Sequence, residues 1–495
     1  MAADQPRQPS STGSRAKTIA IGAAVVLLVA VGGAAGLEAA GYLPAGLIGD
    51  SSPTPTPTPS ASPTPSRPAA PDVLDPATTT AAATIPTRRL RSLLGRPALG
   101  PGVGATVIDA ATGDVLLDED DARARTPASI AKLTTAAAAL MTLGPEHRLA
   151  TRVVAGAKPG EVVLVGGGDT TLALHNPKAR DYPRRASLSA LADATAAALR
   201  AQPPTGGTST ATASASPTAT SAATTVTVRI DDALFSGPSV SPDWPATYVS
   251  SGVVSRVSAL SVDGGRVKPD ADAREPDPAM AAGRDLAKLL AARGITVTDS
   301  VRRTTSPAGA RTLAQVLSPT VAQLVEAGLS TSDNDLAESL LRLSAIAQGS
   351  PGTFTAGRDT VADVLGDLGV PTTGLDLRDG SGLARTNAIA PVTLARLLQV
   401  AAGTEHPVLR TLLTGLPVAG FSGTLEDRFT RPPSAFGAGL VRAKTGTLTG
   451  VSTLAGVTEQ SGRTLVFVVM SDHVPTTGTL AARAALDRFA AAVAR

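Results

Sequence analysis

The C-terminal stretch GLVRAKTGTLTGVSTLAGVTEQSGRTLVFVVM, residues 439–470, decides the fold class. Three runs rich in β-branched and other apolar residues, at 439–445, 452–457 and 463–470, predict three sequential strands. Gly450 and Gly462 lie at the breaks between the strands, where turns are expected. The alanine-rich segment that follows predicts an amphipathic helix, and it covers residues 481–493. The chain therefore ends in an antiparallel sheet flanked by a helix.

Further helices and strands of the same body are predicted in the N-terminal and middle parts of the chain. Periodicity and turn residues indicate a helix at 88–94, a hairpin of strands at 105–109 and 115–117, and helices at 129–143, 320–329 and 335–343. Ser318-Pro319 is expected to cap the helix at 320–329. An antiparallel sheet between N-terminal and C-terminal helices, with a helical cluster besides, is an α+β arrangement.

The domain layout follows from changes in composition along the 495 residues. The catalytic body is predicted in two parts, one with the N-terminal hairpin and one with the three C-terminal strands. The stretch between them, 150–309, is too long for a loop and predicts a large inserted mixed domain. The predicted parts are a cytosolic tail (1–18), a transmembrane anchor or signal segment (19–37), a Pro/Thr/Ser-rich linker (38–84), a catalytic domain (85–149 and 310–495) and an inserted domain (150–309) with a disordered tract (205–225).

The N-terminal apolar run predicts export of the body. Residues 19–37 are uncharged and follow Arg7, Arg15 and Lys17, so the N-terminus is expected inside and the rest outside. A retained anchor gives a single-pass protein of the cell membrane, and cleavage gives a secreted one. The prolines of the linker favour an extended stalk.

Composition excludes several classes of function. The chain has no cysteine, so disulfides, thiolate metal sites and a cysteine nucleophile are excluded. Its four histidines lack the spacing of a helical zinc site, and no G-x-S-x-G occurs to support a Ser-His-Asp hydrolase. The net charge is +3 without a clustered basic face, so no nucleic-acid partner is expected.

The first candidate element is Ser129-Ile130-Ala131-Lys132, at the start of the alanine-rich helix. Three residues of separation place both side chains on one helix face, where a neutral lysine amine can take the proton of an attacking serine. This role needs a lowered lysine pKa, for which burial and the charge of Lys444 are the expected causes. The element alone is weak evidence, because an N-cap serine and a solvated lysine also explain it, and the same spacing recurs at Ser14 and Lys17.

The second and third elements are Ser332-Asp333-Asn334 and Lys444-Thr445-Gly446. Ser332 can relay a proton to a leaving amine, and Asn334 can bind a substrate amide, although helix capping also explains these residues.

Lys444 can pair with a substrate carboxylate, assisted by the Thr445 hydroxyl, and Gly446 allows a ligand to approach the backbone. The N–H groups of Thr447 and Ser129 can form an oxyanion hole. A lysine on an edge strand with a bulge glycine is the structural alternative.

The three elements in this order resemble those of the low-molecular-mass class C penicillin-binding proteins, the D-alanyl-D-alanine carboxypeptidase/endopeptidase family. Further stretches are similar to that family, and they are residues 164–169, 231–238, 259–265, 379–383, 416–420 and 444–448. The resemblance implies the penicillin-binding/β-lactamase-like transpeptidase fold. It also implies a serine DD-peptidase that removes the terminal D-alanine from peptidoglycan stem peptides, and also cleaves cross-links in some members.

The resemblance implies catalytic roles for Ser129, Lys132, Ser332, Asn334 and Lys444, and binding roles for Thr445, Gly446 and Thr447. β-Lactam antibiotics are expected to acylate Ser129, and no metal or cofactor is needed. The alternatives are a β-lactamase or esterase of the same fold, which needs a deacylating base that the sequence does not reveal, and a non-catalytic wall-binding scaffold.

Overall fold

Two of the three apolar runs of the C-terminal part, at 452–457 and 463–470, form strands that are buried on both faces. The computed structural model describes residues 85–201 and 224–495. The strands are β1 Gly104–Asp109, β2 Val115–Glu119, β3 Arg148–Ala155, β4 Glu161–Val165, β5 Thr225–Asp231, β6 Thr296–Val297, β7 Arg302–Arg303, β8 Thr312–Thr320, β9 Val441–Leu448, β10 Val451–Gln460 and β11 Arg463–Ser471. The helices are α1 Thr87–Leu94, α2 Lys132–Leu143, α3 Leu188–Arg200, α4 Thr247–Ser250, α5 Pro278–Ala291, α6 Val321–Thr331, α7 Asn334–Ala347, α8 Phe354–Asp367, α9 Pro391–Ala402, α10 Arg410–Thr414 and α11 Thr479–Val493.

The first sheet is antiparallel throughout and has the strand order β2-β1-β11-β10-β9. Alternate residues of β11 enter two different cores. Phe467 and Val469 pack with α1 and α11, whereas Val466 and Val468 pack with α2 and the other helices of the middle region. Burial on both faces explains why β11 is a continuous apolar run instead of an alternating one. The expected α+β arrangement, a sheet flanked by helices with a helical cluster beside it, is confirmed.

A second sheet is mixed and is formed by residues between 148 and 320. Its strand order is β6-β5-β4-β3-β8, with β7 also paired to β5. β3 is antiparallel to β4 and β8, whereas β4, β6 and β7 run parallel to their neighbour β5. Helices α3 and α5 share its apolar core. β8 pairs along β3, so this sheet continues beyond the boundary at residue 309 that the sequence predicted for an inserted domain.

The predicted cap of α6 at Ser318-Pro319 is wrong. Both residues belong to β8, and the N-cap is Thr320. Its hydroxyl accepts a hydrogen bond from the Gln323 N–H, and the Gln323 side chain accepts one from the Thr320 N–H. Ser318 is occupied elsewhere, because its hydroxyl accepts a hydrogen bond from the Leu149 N–H of β3.

Several predictions concern residues outside the described ranges. They are the tail 1–18, the apolar segment 19–37, the linker 38–84 and most of the tract 205–225, whose last residue, Thr225, begins β5. Within residues 85–201 and 224–495, no helix combines the length and the apolar character that a membrane crossing requires.

Candidate active site

Ser129 lies on a tight turn that leads into α2. A 3₁₀ turn covers Ala128–Ala131, and the α-helix starts at Lys132. Ala128, directly before the serine, has a φ of 50°, in the left-handed region that non-glycine residues rarely adopt. Lys132 is the third residue after Ser129, and its Nζ lies 3.1 Å from the Ser129 Oγ. The pairing predicted for the first element is therefore present.

The second element forms the link between α6 and α7. Ser332 is the C-cap of α6 in a left-handed conformation, and Asp333 is the N-cap of α7, where its side chain accepts the Leu336 N–H. Only the central residue, Asp333, uses its side chain for capping. The Ser332 and Asn334 side chains, on either side of it, turn toward the two lysines.

The third element lies on β9, which runs three residues further than the predicted strand. Lys444 has an exposed fraction of 0%, and its Nζ donates to the Ser332 Oγ and to the Thr445 carbonyl, each at 2.9 Å. The amine faces Ser332 inside the protein, and the pairing of Lys444 with a substrate carboxylate stays a prediction. The Thr445 hydroxyl bonds to the Thr424 hydroxyl at 2.9 Å.

The Lys132 amine has three polar neighbours, which come from three parts of the chain. Besides Ser129, its Nζ contacts the Asn334 Oδ1 and the Ser381 carbonyl, both at 2.7 Å. The Asn334 amide in turn donates to the Val253 carbonyl at 2.8 Å. The structure thus gathers the first two elements around one amine, while Ser332 connects them to Lys444.

Burial lowers the pKa of both lysines. The pKa of Lys132 falls to about 8, because the loss of water outweighs the opposing influence of Glu338 and other nearby carboxylates. Burial also holds the pKa of Lys444 well below its usual value, and the positive charge of Lys132 lowers it further. Of the two causes expected for a lowered pKa of Lys132, burial is present, whereas the charge of Lys444 is not among the influences on it.

The structure gives a reason for glycine at 446 besides the predicted approach of a ligand, which stays a prediction. A Cβ at this position would lie 2.2 Å from the Thr453 Oγ1, 2.7 Å from the Pro127 carbonyl oxygen and 3.1 Å from the Ser129 nitrogen. These are the protein's own atoms. Gly446 therefore lets β9 pack directly against the turn that carries Ser129, which brings the backbones of the first and third elements together.

These residues border an open cleft of about 430 Å³, whose lining includes Ser129, Ser332, Asn334, Thr447, Tyr248 and Val253. Tyr248 and Val253 belong to the region that the sequence assigned to an inserted domain, and that region therefore forms one wall of the cleft. Sequence reasoning also missed the contact of Lys132 with Ser381. The family-like stretch 379–383 was its one available indication. Among the described residues, no group of three His, Asp or Glu side chains is arranged to hold a metal ion.

An antiparallel sheet flanked by helices, with a serine–lysine pair at the start of a helix beside the edge strand, defines a serine acyl-transfer enzyme of the penicillin-binding/β-lactamase-like fold. The chain matches the D-Ala-D-Ala carboxypeptidase 3 (S13) family over residues 87–277 and 271–493, and it belongs to that family. It is a serine-type D-alanyl-D-alanine carboxypeptidase, a low-molecular-mass class C penicillin-binding protein.

Relatives agree with this assignment. The chain is 37% identical to Carboxypeptidase Rv3627c of Mycobacterium tuberculosis over 424 residues, which cover 84% of this chain and 85% of the relative. It is 29% identical to the D-alanyl-D-alanine carboxypeptidase of Actinomadura sp. strain R39 over 438 residues, with 77% and 80% covered. Penicillin binding protein 4 from Haemophilus influenzae has the same fold, with a TM-score of 0.64, 22% identity, and coverage of 82% of this chain and 98% of that one.

The close contact at Gly446 predicts that Gly446→Ala slows the enzyme without unfolding it. The added methyl group must displace β9 or the Ser129 turn, and a displacement of about 1 Å within an active site costs at least about tenfold in rate. Release of D-alanine from a D-Ala-D-Ala peptide measures the effect. Gly366→Ala is the control, because a Cβ there on α8 meets nothing within 4 Å and should leave the rate unchanged. Equal rates for the two variants would contradict this account of Gly446.

Proposed function

We propose that Ser129 is the nucleophile and that the neutral Lys132 amine is its general base. A neutral amine carries two N–H bonds and one lone pair. The Asn334 Oδ1 and the Ser381 carbonyl, both 2.7 Å from the Nζ, can only accept hydrogen bonds, so they take the two N–H groups. The lone pair then faces the third neighbour, the Ser129 hydroxyl at 3.1 Å. This arrangement of donors around one amine is the observation that carries the proposal.

The acylation step follows from these contacts. The Ser129 Oγ attacks the carbonyl carbon of the penultimate D-alanine, and its proton passes to the Lys132 Nζ. The N–H groups of Ser129 and Thr447 bind the oxygen on which negative charge develops. The close packing of β9 on the Ser129 turn at Gly446 supports this pairing, because it brings the two backbones together.

The leaving group requires a proton on the other side of the scissile bond. As the C–N bond breaks, Ser332 gives its hydroxyl proton to the departing D-alanine amine. Lys444 donates a hydrogen bond to the Ser332 Oγ at 2.9 Å, and it returns a proton to that oxygen after the transfer. Asn334 and Thr445 hold the peptide along β9, with Asn334 binding a substrate amide. The proton that Lys132 took from Ser129 then passes to the Lys444–Ser332 pair, which gave one to the leaving amine, so that Lys132 is neutral again. Water attacks the ester on Ser129, the Lys132 amine takes the proton of that water and returns it to the Ser129 Oγ as the ester bond breaks, and the shortened stem peptide leaves. The same chemistry on a cross-linked peptide is an endopeptidase reaction.

β-Lactams acylate Ser129 by the same route in this proposal and are released slowly. Efficient release needs a second base that activates water on the acyl-enzyme. No aspartate or glutamate is found among the described residues that line the cleft. This supports a peptidase that β-lactams inhibit over a β-lactamase that destroys them.

The nucleophile is tested by labelling with a fluorescent penicillin. Wild type should carry the label on the peptide that contains Ser129, and Ser129→Ala should carry none, because no ester can form. Ser14→Ala is the matched control, since Ser14 has the same spacing to a lysine, and it should label like wild type. Labelling of Ser129→Ala at the wild-type level would remove Ser129 from its role.

The base is tested by the pH dependence of acylation. Lys132 must be neutral to accept the serine proton, so the rate should rise as pH increases through about 8, the pKa of Lys132. About a tenth of the amine is neutral one unit below that pKa, and about nine tenths one unit above it. The acylation rate constant with a chromogenic β-lactam, measured between about pH 6 and 9.5, gives the curve. A rate that is flat over this range would contradict a lysine base.

We propose further that residues 19–37 hold the protein in the cell membrane, with the catalytic body outside and 38–84 as a stalk. The uncharged run and the preceding basic residues support a retained anchor. The mass of the exported protein tests this. A full-length chain in the membrane fraction is expected, whereas an N-terminus beyond residue 37 would show a cleaved signal segment and a secreted enzyme.

A further inference from the structure

A buried carboxylate lies one helical turn from Asn334 on α7. Glu338 has an exposed fraction of 0%. Its Oε2 accepts the Gly380 N–H at 3.0 Å, and its Oε1 accepts the Ser381 N–H at 2.9 Å. Among the described residues, no lysine or arginine forms an ion pair with it. Both carboxylate oxygens thus hold the backbone of one loop. Burying a carboxylate without a cationic partner costs free energy, so this arrangement indicates that the position of the loop matters.

The loop that Glu338 holds carries a contact of the general base. The Ser381 carbonyl, which belongs to the same residue as one of the bound N–H groups, accepts the hydrogen bond from the Lys132 Nζ. The neighbouring Gly380 carbonyl accepts a hydrogen bond from Thr135, on the next turn of α2. Displacement of the loop would therefore displace an acceptor of Lys132.

A second buried carboxylate fixes the other end of the loop. The Asp379 side chain accepts the N–H groups of Gly382 and Ala384 at 2.8 and 2.6 Å. It also accepts the Trp244 indole N–H at 2.7 Å and the Asn387 amide at 2.8 Å. The loop is thus clamped between α7 on one side and its own Asp379 turn on the other, and little freedom is left to the Ser381 carbonyl.

We infer that Glu338 is a positioning residue, which acts through the Ser381 backbone to aim the Lys132 lone pair at Ser129. Residues four apart lie on the same face of a helix. Asn334 supplies one acceptor of Lys132 directly, and Glu338 fixes the other acceptor through the loop. One turn of α7 therefore determines the directions of both N–H bonds, and with them the direction of the lone pair. This inference rests on the proposed role of Lys132.

The charge of Glu338 has a second consequence. Its negative charge raises the pKa of Lys132 against the effect of burial. The other charged groups that act on the pKa of Lys132 are Asp379 from the loop and Asp333 and Asp335 from the start of α7, which also raise it. Lys444 on β9 faces the same site, and its own pKa is lowered by Lys132. Burial raises the pKa of Glu338 itself to about 8, and Asp379 adds to this rise. Glu338 is therefore ionised mainly at and above about pH 8, where its charge raises the pKa of Lys132. Loss of that charge should move the upper part of the rising limb of the pH–rate curve to lower pH.

Glu338→Gln separates these effects from a loss of stability. Glutamine offers one acceptor oxygen, and its NH₂ group would face the second backbone N–H. The maximal acylation rate constant should fall about tenfold or more, because the Ser381 carbonyl moves, and the upper part of the rising limb should shift to lower pH. Acylation by a chromogenic β-lactam across pH measures both. The labelling stoichiometry at the end point gives the folded fraction, so that an unfolded population is not read as a slow rate.

Asp109→Asn is the matched control. Asp109 is also buried and accepts two backbone N–H groups, those of Ala111 and Thr112, but on the turn that follows β1. Its replacement should lower thermal stability but leave the rising limb of the pH–rate curve at the same pH as in the wild type. If Glu338→Gln shows the wild-type limb and the wild-type maximal rate, or behaves as Asp109→Asn does, the inference is wrong.

Glu338→Asp covers the case in which the glutamine variant does not fold. Aspartate keeps the charge but is one methylene too short to reach both N–H groups. Its limb should therefore stay near that of wild type while its maximal rate falls, and an unchanged maximal rate would refute the positioning role. Failure of the wild-type enzyme to label at Ser129 would instead refute the proposed function, so the two failures are distinguishable.

Discussion

The active site depends on two lysine amines that are withdrawn from water. Lys132 and Lys444 are 2% and 0% exposed, although a charged ammonium group is costly to bury without partners. The cost is reduced by hydrogen bonds to Asn334 and Ser381 for the first amine and to Ser332 for the second. Burial is also what gives a lysine a pKa near 8, at which an amine can serve as a base under ordinary conditions.

This constraint explains why the site draws on parts of the chain that are far apart. No single helix or hairpin can enclose an amine, so α2, α7, β9 and the loop at 379–384 converge on the two lysines. Their convergence requires backbones to touch. Gly446 allows β9 to meet the Ser129 turn, and Gly382, with a φ of 81°, allows the loop to meet it from another side. A Cβ at Gly382 would lie 1.9 Å from the Ala128 carbonyl oxygen.

The region between the two halves of the catalytic body takes part in this enclosure. Its own sheet is built from residues between 148 and 320, yet the Val253 carbonyl holds the Asn334 amide, and the Trp244 indole donates to Asp379. Tyr248 and Val253 also line the cleft. This region therefore stabilises the polar network behind Ser129 and forms one wall of the cleft.

The sequence by itself determined the strands of the first sheet, the helix that follows Ser129 and the class of chemistry. These depend on local periodicity, on turn residues and on three short elements whose order could be read directly. It did not determine why position 446 is glycine, where α6 is capped, or that Lys444 faces Ser332 instead of the solvent. Glu338, Asp379 and the Ser381 carbonyl were missed as well. Their functions arise from contacts between residues distant in sequence and from the exclusion of water, and neither exists until the chain has folded, so only the tertiary structure could decide them.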